Sequence, residues 1–222
     1  MNAREATLRT RRLLLQPMTA SDATVVHCIW TTPGVRRFLF DGEVLTWAKT
    51  TAMLELSMDL FCREGTGLWL GRGNDGEAIA FCGYWYFHQP PQLELVYGVA
   101  EEYWGNGYAT EAARALAEYG QRRLGLRTIR ASTDAANAPS LWVMDKLGMR
   151  LARAGPKGKQ IVCAVLAPSC DSFHAKGRRP DSVPLTQFRS ATVALDAASG
   201  RRRTVCRWHG ARVHAARTVA KR

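Results

Sequence analysis

The stretch Tyr103-Trp104-Gly105-Asn106-Gly107-Tyr108-Ala109-Thr110-Glu111-Ala112 decides how this chain is read. An apolar run, Leu93-Glu94-Leu95-Val96-Tyr97-Gly98-Val99, precedes it and reads as a strand. Ala109, Ala112, Ala113, Leu116, Ala117 and Tyr119 give the helix that leaves it a small-residue apolar face. A strand that passes through a glycine turn into a helix builds an anion site. Gly105 and Gly107 let the backbone turn its N–H groups inward without a Cβ clash. The helix start adds unpaired N–H donors and the positive end of its dipole. A diphosphate suits several converging donors of this kind. Two familiar diphosphate loops do not fit. A nucleotide-triphosphate loop needs Gly-Lys-Ser/Thr, and Gly107 is followed by Tyr108-Ala109. A dinucleotide fingerprint needs a third glycine where Thr110 stands and an acidic residue about 20 positions on, where Arg127 and Arg130 stand instead. Alone, a Gly-x-Gly pair is also what a plain turn before a core helix looks like.

Outward from this segment the chain alternates strands and helices. Thr7 to Met18 reads as an opening strand, and Thr19, Ser21 and Asp22 cap a short helix that Pro33-Gly34 ends. Thr46 caps a longer helix to about Glu64. Leu68 to Gly71 and Ala78 to Phe87 form a hairpin over Asn74-Asp75-Gly76, and His88 to Pro91 is a loop. After the glycine segment come a strand at Arg127 to Ser132, a helix from Asn137 to Leu147 closed by Gly148, and two strands, Met149 to Ala154 and Ile161 to Leu166. The order is that of an α/β domain with hairpins in its middle. It spans residues 1–168.

Residues 169–222 differ in kind. They hold 12 basic and 3 acidic residues, so +9 of the formal +12 lies there and the body carries only +3. They have no sustained period of 2 or 3.6, and poor order is expected, with Ala191 to Ala198 the one stretch that suits a short helix or strand. At 46% hydrophobic and 9% aromatic residues, the 222-residue chain can bury a core. No apolar run has membrane-spanning length and no secretion signal precedes the body, so a cytoplasmic protein is expected. Body charge gives no reason to expect nucleic acid; the tail leaves an anionic partner such as RNA open. Cys28, Cys62, Cys82 and Cys163 lie in apolar segments and read as small hydrophobes. Cys170 with His174, and Cys206 with His209, have spacings a metal can use but no folded frame around them, so no metal is expected.

Four blocks in order resemble the GNAT superfamily of N-acetyltransferases, in its ribosomal-protein-N-acetyltransferase-like (RimJ/RimL-like) branch. These are Leu8 to Pro17 with Asp22, Glu94 to Val99, Tyr103 to Ala112, and Asn137-Ala138-Pro139-Ser140 with Lys146-Leu147-Gly148-Met149. Together they cover about residues 7–166. The resemblance implies a mixed, twisted sheet splayed in a V, with helices on both faces. It implies acetyl-CoA as co-substrate, its diphosphate on the main-chain N–H groups of the segment Trp104, Gly105, Asn106, Gly107, Tyr108, Ala109 and Thr110. The pantetheine arm would then add to the strand at Tyr97, Gly98 and Val99, with Asn137 and Ser140 beside the arm or the thiol. Where the wider family often has Gln or Arg, this chain has Trp104; where many members carry a proton-donating Tyr in the last helix, it has Met144.

An acceptor amine is mostly protonated at pH 7 and must lose a proton before it attacks a thioester. Glu94, which interrupts an apolar strand, is the candidate base; a solvent-facing strand residue is its plainer reading. Ser140 or Tyr97 stands in for the missing Tyr as proton donor to the thiolate, though Tyr97 also reads as a core aromatic. His27 reads as a packed or surface residue and His88 as a loop residue near the substrate's entry. Trp47, Trp69, Trp85 and Phe87 read as core. The expected activity is acetyl transfer to a primary amine, a protein N-terminus or a small amine, by a monomer or homodimer. The alternative is a CoA-binding module without turnover whose basic tail docks on RNA or the ribosome.

Overall fold

A computed structural model describes residues 6–88, 90–154, 161–166, 194–195 and 202–203. By contact the chain divides into two units, Met1–Phe173 and His174–Arg222. The first is built on one eight-stranded sheet, with strands β1 (Leu8–Arg9), β2 (Leu14–Pro17), β3 (Leu68–Arg72), β4 (Ala78–Phe87), β5 (Gln92–Val99), β6 (Ile129–Asp134), β7 (Arg150–Ala154) and β8 (Ile161–Leu166). Their spatial order is β1-β2-β3-β4-β5-β6-β8-β7. All neighbours run antiparallel except β5 and β6. In the second unit, β9 (Ala194–Leu195) pairs antiparallel with β10 (Arg202–Arg203), so the stretch around Ala191 to Ala198 contains a short strand.

Helices cover both faces. They are α1 (Ala23–Thr31), α2 (Pro33–Leu39), α3 (Trp47–Glu64), α4 (Tyr108–Arg122) and α5 (Ala138–Lys146). Central strands are buried on both sides, and strand alternation divides their side chains between two clusters. Trp69, Leu95, Val99, Ile129 and Ala131 join Ala112, Ala113 and Leu116 of α4 and Val143 and Met144 of α5. Leu68, Leu70 and Phe81 join Val26, Ile29, Trp30 and Val35 of α1 and α2 and Leu54 of α3. The small residues of α4 serve close approach: the Tyr84 hydroxyl donates to Leu116 O at 2.9 Å, and a Cβ on Gly120 would lie 2.1 Å from that hydroxyl.

The structure alters several expectations. The opening segment is a tight hairpin rather than one strand, because Thr10 N–H donates to Leu13 O and the Thr10 side chain accepts from Leu13 N–H, both at 2.9 Å. Helix α1 ends before Pro33, as expected, but Pro33 also starts α2, since proline lacks only an N–H that a helix's first turn leaves unbonded anyway. Strand β6 runs from Ile129 to Asp134, shifted from 127–132. Among the described cysteines, Cys28 and Cys62 are exposed and Cys82 is buried. Trp69 is core, whereas Trp47 and Phe87 are exposed. The readings at Cys163, Cys170, His174, Cys206 and His209 lie outside the described side chains. Among the described residues no helix is long and apolar enough to cross a membrane.

Candidate active site

The site forms where β5 and β6 part. The two parallel strands are joined at a single pair, Glu94 with Arg130. Beyond it β5 continues to Val99 against β4 alone. Which groups face the gap follows from the antiparallel ladder. Ala100 N–H donates to Ile79 O at 2.9 Å, so Val99 and Tyr97 turn their N–H and C=O groups away from β4, into the gap. Gly98, grouped with them by the sequence reading, is separated by the same alternation. Its peptide groups face β4, and a Cβ there would strike the Phe81 ring at 2.1 Å, so packing is what demands glycine.

Trp104 closes one end of this open edge. Its indole N–H donates to Val99 O at 2.7 Å, while its ring, 52% exposed, lies over Gly34 at the start of α2. Next comes the loop. Gly105 and Gly107 have φ of +76° and +78°, and Gly107 caps α4 without a side-chain acceptor. The Glu111 N–H reaches back to Gly107 O at 3.1 Å, so the amides of Tyr108, Ala109 and Thr110 are the helix's unpaired donors. Asn106 instead braces the turn, its side-chain amide donating to Tyr103 O and Trp104 O at 3.2 and 3.0 Å.

A clamp that no local motif announces fixes this loop. Glu111 accepts from the Thr10 hydroxyl at 2.6 Å, the Arg12 N–H at 2.8 Å and Arg12 Nε at 2.7 Å. Arg12 also donates to Asn106 O at 2.9 Å and lies 4.2 Å over the Tyr108 ring. Burial works to raise the Glu111 carboxyl's pKa, but the Thr10 hydroxyl and the Arg12 amide and guanidinium outweigh it and hold the group below its ordinary value. A depressed folded-state pKa contributes stability that is present above the ordinary value of 4.5 and lost as pH falls through the folded one. Glu111→Gln is therefore expected to destabilise the protein at pH 7 by about 1–2 kcal/mol, allowing for solvent at Arg12. Thermal unfolding followed from pH 7 to 3 checks this, with the gap to the parent closing at the acid end.

Beside α4, a cleft of about 650 Å³ is lined by Arg9, Arg11, Arg12 and Arg114, with Lys146 at the end of α5 and the carboxylates of Glu111 and Glu118. Across the gap, α5 begins at Asn137, whose side-chain oxygen accepts from Ser140 N–H at 3.3 Å. The Tyr97 hydroxyl lies 3.0 Å from Ser140 Oγ and 3.1 Å from Ser140 O, tying the two sides of the gap together. Burial pushes the Tyr97 hydroxyl up to about 12, with the Ser140 hydrogen bond acting the other way, so it keeps its proton at neutral pH. Met144 is buried in the core and offers no hydroxyl.

Glu94 is not solvent-facing. It is 4% exposed, and its Oε1 lies 3.0 Å from both Ser132 Oγ and His88 Nε2. The sequence reading missed Ser132 and the carboxylate's link to His88. The link was available in principle: Phe87 pairs with Gln92, so the loop that holds His88 must fold back beside Glu94. Among the described residues no group of His, Cys, Asp and Glu gathers for a metal ion.

An open strand edge beside a glycine-capped helix start, within a sheet that splays at one parallel pair, defines a CoA-dependent acyltransferase fold. Residues 12–150 match the acetyltransferase (GNAT) domain, and the chain belongs to that family of acetyl-CoA-dependent N-acetyltransferases. It is 27% identical over 146 residues to the uncharacterized N-acetyltransferase p20 of Bacillus licheniformis, covering 65% of this chain and 82% of that one. It is 28% identical over 157 residues to the FsC-acetyl coenzyme A-N(2)-transacetylase of Aspergillus fumigatus, covering 65% of each. Among solved structures, an acetyltransferase from Agrobacterium tumefaciens superposes with a TM-score of 0.64 at 25% identity, over 73% of this chain and 94% of that one. A ribosomal L7/L12 alpha-N-protein acetyltransferase, RimL, in complex with coenzyme A does so with 0.60 at 15% identity, over 71% and 95%.

Proposed function

We propose that the protein transfers the acetyl group of acetyl-CoA to a primary amine by direct attack in a ternary complex, with Glu94 as the base. The observation that carries this reading is the buried Glu94 carboxylate at the point where β5 and β6 part, next to the edge on which Tyr97 and the Val99 N–H face the gap. The diphosphate sits on the open amides of Tyr108, Ala109 and Thr110, with Gly105 and Gly107 shaping the loop and Asn106 and Trp104 bracing it. The pantetheine arm pairs with the β5 edge, where the Val99 N–H can polarise the thioester carbonyl. Ser140, backed by the Tyr97 hydroxyl, donates a hydrogen bond to the departing thiolate, and Asn137 holds the α5 turn that presents it.

The cleft outside α4 receives the phosphorylated adenosine end, where Arg9, Arg11 and Arg114 meet its charge. Acetyl-CoA is expected to bind about tenfold more tightly than its analogue without the 3′-phosphate. A double Arg9→Gln, Arg114→Gln variant should lose that preference in a calorimetric titration.

Both acceptor classes stay in view: RimL is named for an alpha-N-protein acceptor, and the Aspergillus relative for an N(2) transfer. The test is a thiol-release screen of acetyl-CoA against peptides with free N-termini, aliphatic amines and hydroxyl compounds. Amine-dependent release supports the reading; release only with hydroxyl acceptors, or none while acetyl-CoA binds, refutes it. The basic segment 169–222 is proposed to stand outside the catalytic body, so truncation after Pro168 should leave acetyl-CoA affinity unchanged by titration.

A further inference from the structure

We propose that His88 is the proton exit of this site: the proton that Glu94 takes from the acceptor amine crosses their shared hydrogen bond to the imidazole and leaves from there to solvent. The proposal rests on the reading of Glu94 as base. A base enclosed in the sheet has to hand on each proton before the next turnover, and Glu94 has little surface of its own. Its side chain is 5% exposed, whereas that of His88, 3.0 Å away, is 38% exposed. The two form a gradient from the gap to water, and an imidazole exchanges protons readily near neutral pH.

Backbone geometry supports the same role. His88 has a φ of +69°, one of two non-glycine residues with a positive φ among the described residues. A left-handed conformation costs a side-chain-bearing residue about 1–2 kcal/mol, and glycine would meet the turn without it. Here the turn at the end of β4 is combined with a ring that reaches Oε1 of Glu94. Strain held at a site beside a buried carboxylate points toward function.

Among the described residues the groups around the pair are few. From β4, Trp85 is opposite Glu94 and Phe87 lies 6.3 Å from the His88 ring, and neither is charged. From β6, Ser132 donates to Oε1, and Arg130 and Asp134 share the face by alternation, with Arg130 donating to Gln92 at 2.8 Å. Across β8 the register partner of Ser132 is Cys163.

The step balances. The ammonium gives one proton to the Glu94 carboxylate, which passes it to the lone pair on Nε2, and the imidazolium releases a proton from Nδ1 to water. The neutral amine forms the C–N bond, the C–S bond breaks with its electron pair on sulfur, and the second amine proton ends on the thiol. One proton is released per acetyl transferred.

The test uses the full chain with acetyl-CoA and the amine that gives the fastest thiol release in the screen. His88→Gln and His88→Asn, the second better suited to a left-handed backbone, should lower kcat at pH 7 by about 10- to 100-fold with little change in the acetyl-CoA KM. Added imidazole should restore most of the loss by carrying the proton itself. Wild-type kcat from pH 6 to 9 in both variants overturns the proposal. So does a lowered kcat that imidazole leaves unchanged, which would mean that only a hydrogen bond to Glu94 was lost. Glu94→Gln run in parallel separates the two readings: if it too is fully active, the base assignment itself fails, whereas an impaired Glu94→Gln beside active His88 variants removes His88 alone.

Discussion

Glu94→Gln should lower kcat at pH 7 by about 100-fold or more while acetyl-CoA binding stays near that of the parent. The amide keeps the size of the side chain and an oxygen for the Ser132 hydroxyl, so packing changes little; what disappears is the proposed proton acceptor. Its loss matters only while the amine is protonated. The deficit should therefore shrink as pH rises through the amine's own pKa, and that pH identifies the acceptor class. A protein N-terminus, with a pKa near 8, would restore the variant by about pH 9, whereas a lysine-like amine would keep it impaired until above about pH 10. A pH profile of kcat for parent and variant measures this directly. A deficit that stays constant over the whole range would remove the base role.

The second large effect is expected at Gly107. A Cβ there meets nothing closer than Arg12 Nη2 at 3.7 Å, so the cost of a side chain comes from the φ of +78° and not from crowding. Gly107→Ala should bias the loop away from the conformation that would aim its amides at the diphosphate on the proposed reading. About 1–2 kcal/mol of strain corresponds to roughly 5- to 30-fold weaker acetyl-CoA binding. Gly107→Asn, whose side chain tolerates a left-handed backbone, should bind much more nearly as the parent does. Titration of both variants distinguishes this from a simple loss of space, in which case Asn, the larger residue, would be worse.

How much was legible in the sequence depended on how local each signal was. Thr46 caps α3 through Lys49 N–H at 3.3 Å, and Gly148 closes α5 with a φ of +75°, as their residue types announce. The glycine loop and the buried partners of α4 were legible for the same reason. The helix at Pro33 was not, because proline both ends and starts helices and only the packing of Val35 and Leu39 with α1 decides between them. At the site, Glu94 stood out as a charge in an apolar strand, but its burial did not. That depends on β6, whose Ser132 lies 38 positions away. Gly98 shows the opposite case. A motif placed it with the cofactor strand, while the pleat gave its two neighbours to the gap and left it to Phe81.

The Thr10, Arg12 and Glu111 clamp joins the opening hairpin to the loop proposed to hold the co-substrate. The state of one end must then be readable at the other. A ligand that holds the loop also holds the hairpin, and at 100 times its dissociation constant it adds about 2.7 kcal/mol against any opening that releases both. Amide exchange at Leu13 and Leu14, far along the chain from the glycines, should slow when acetyl-CoA is present. Fusion partners attached ahead of Leu8 would press on the same lever. Their effect on activity would arise at the diphosphate and would not require any contact with the acceptor.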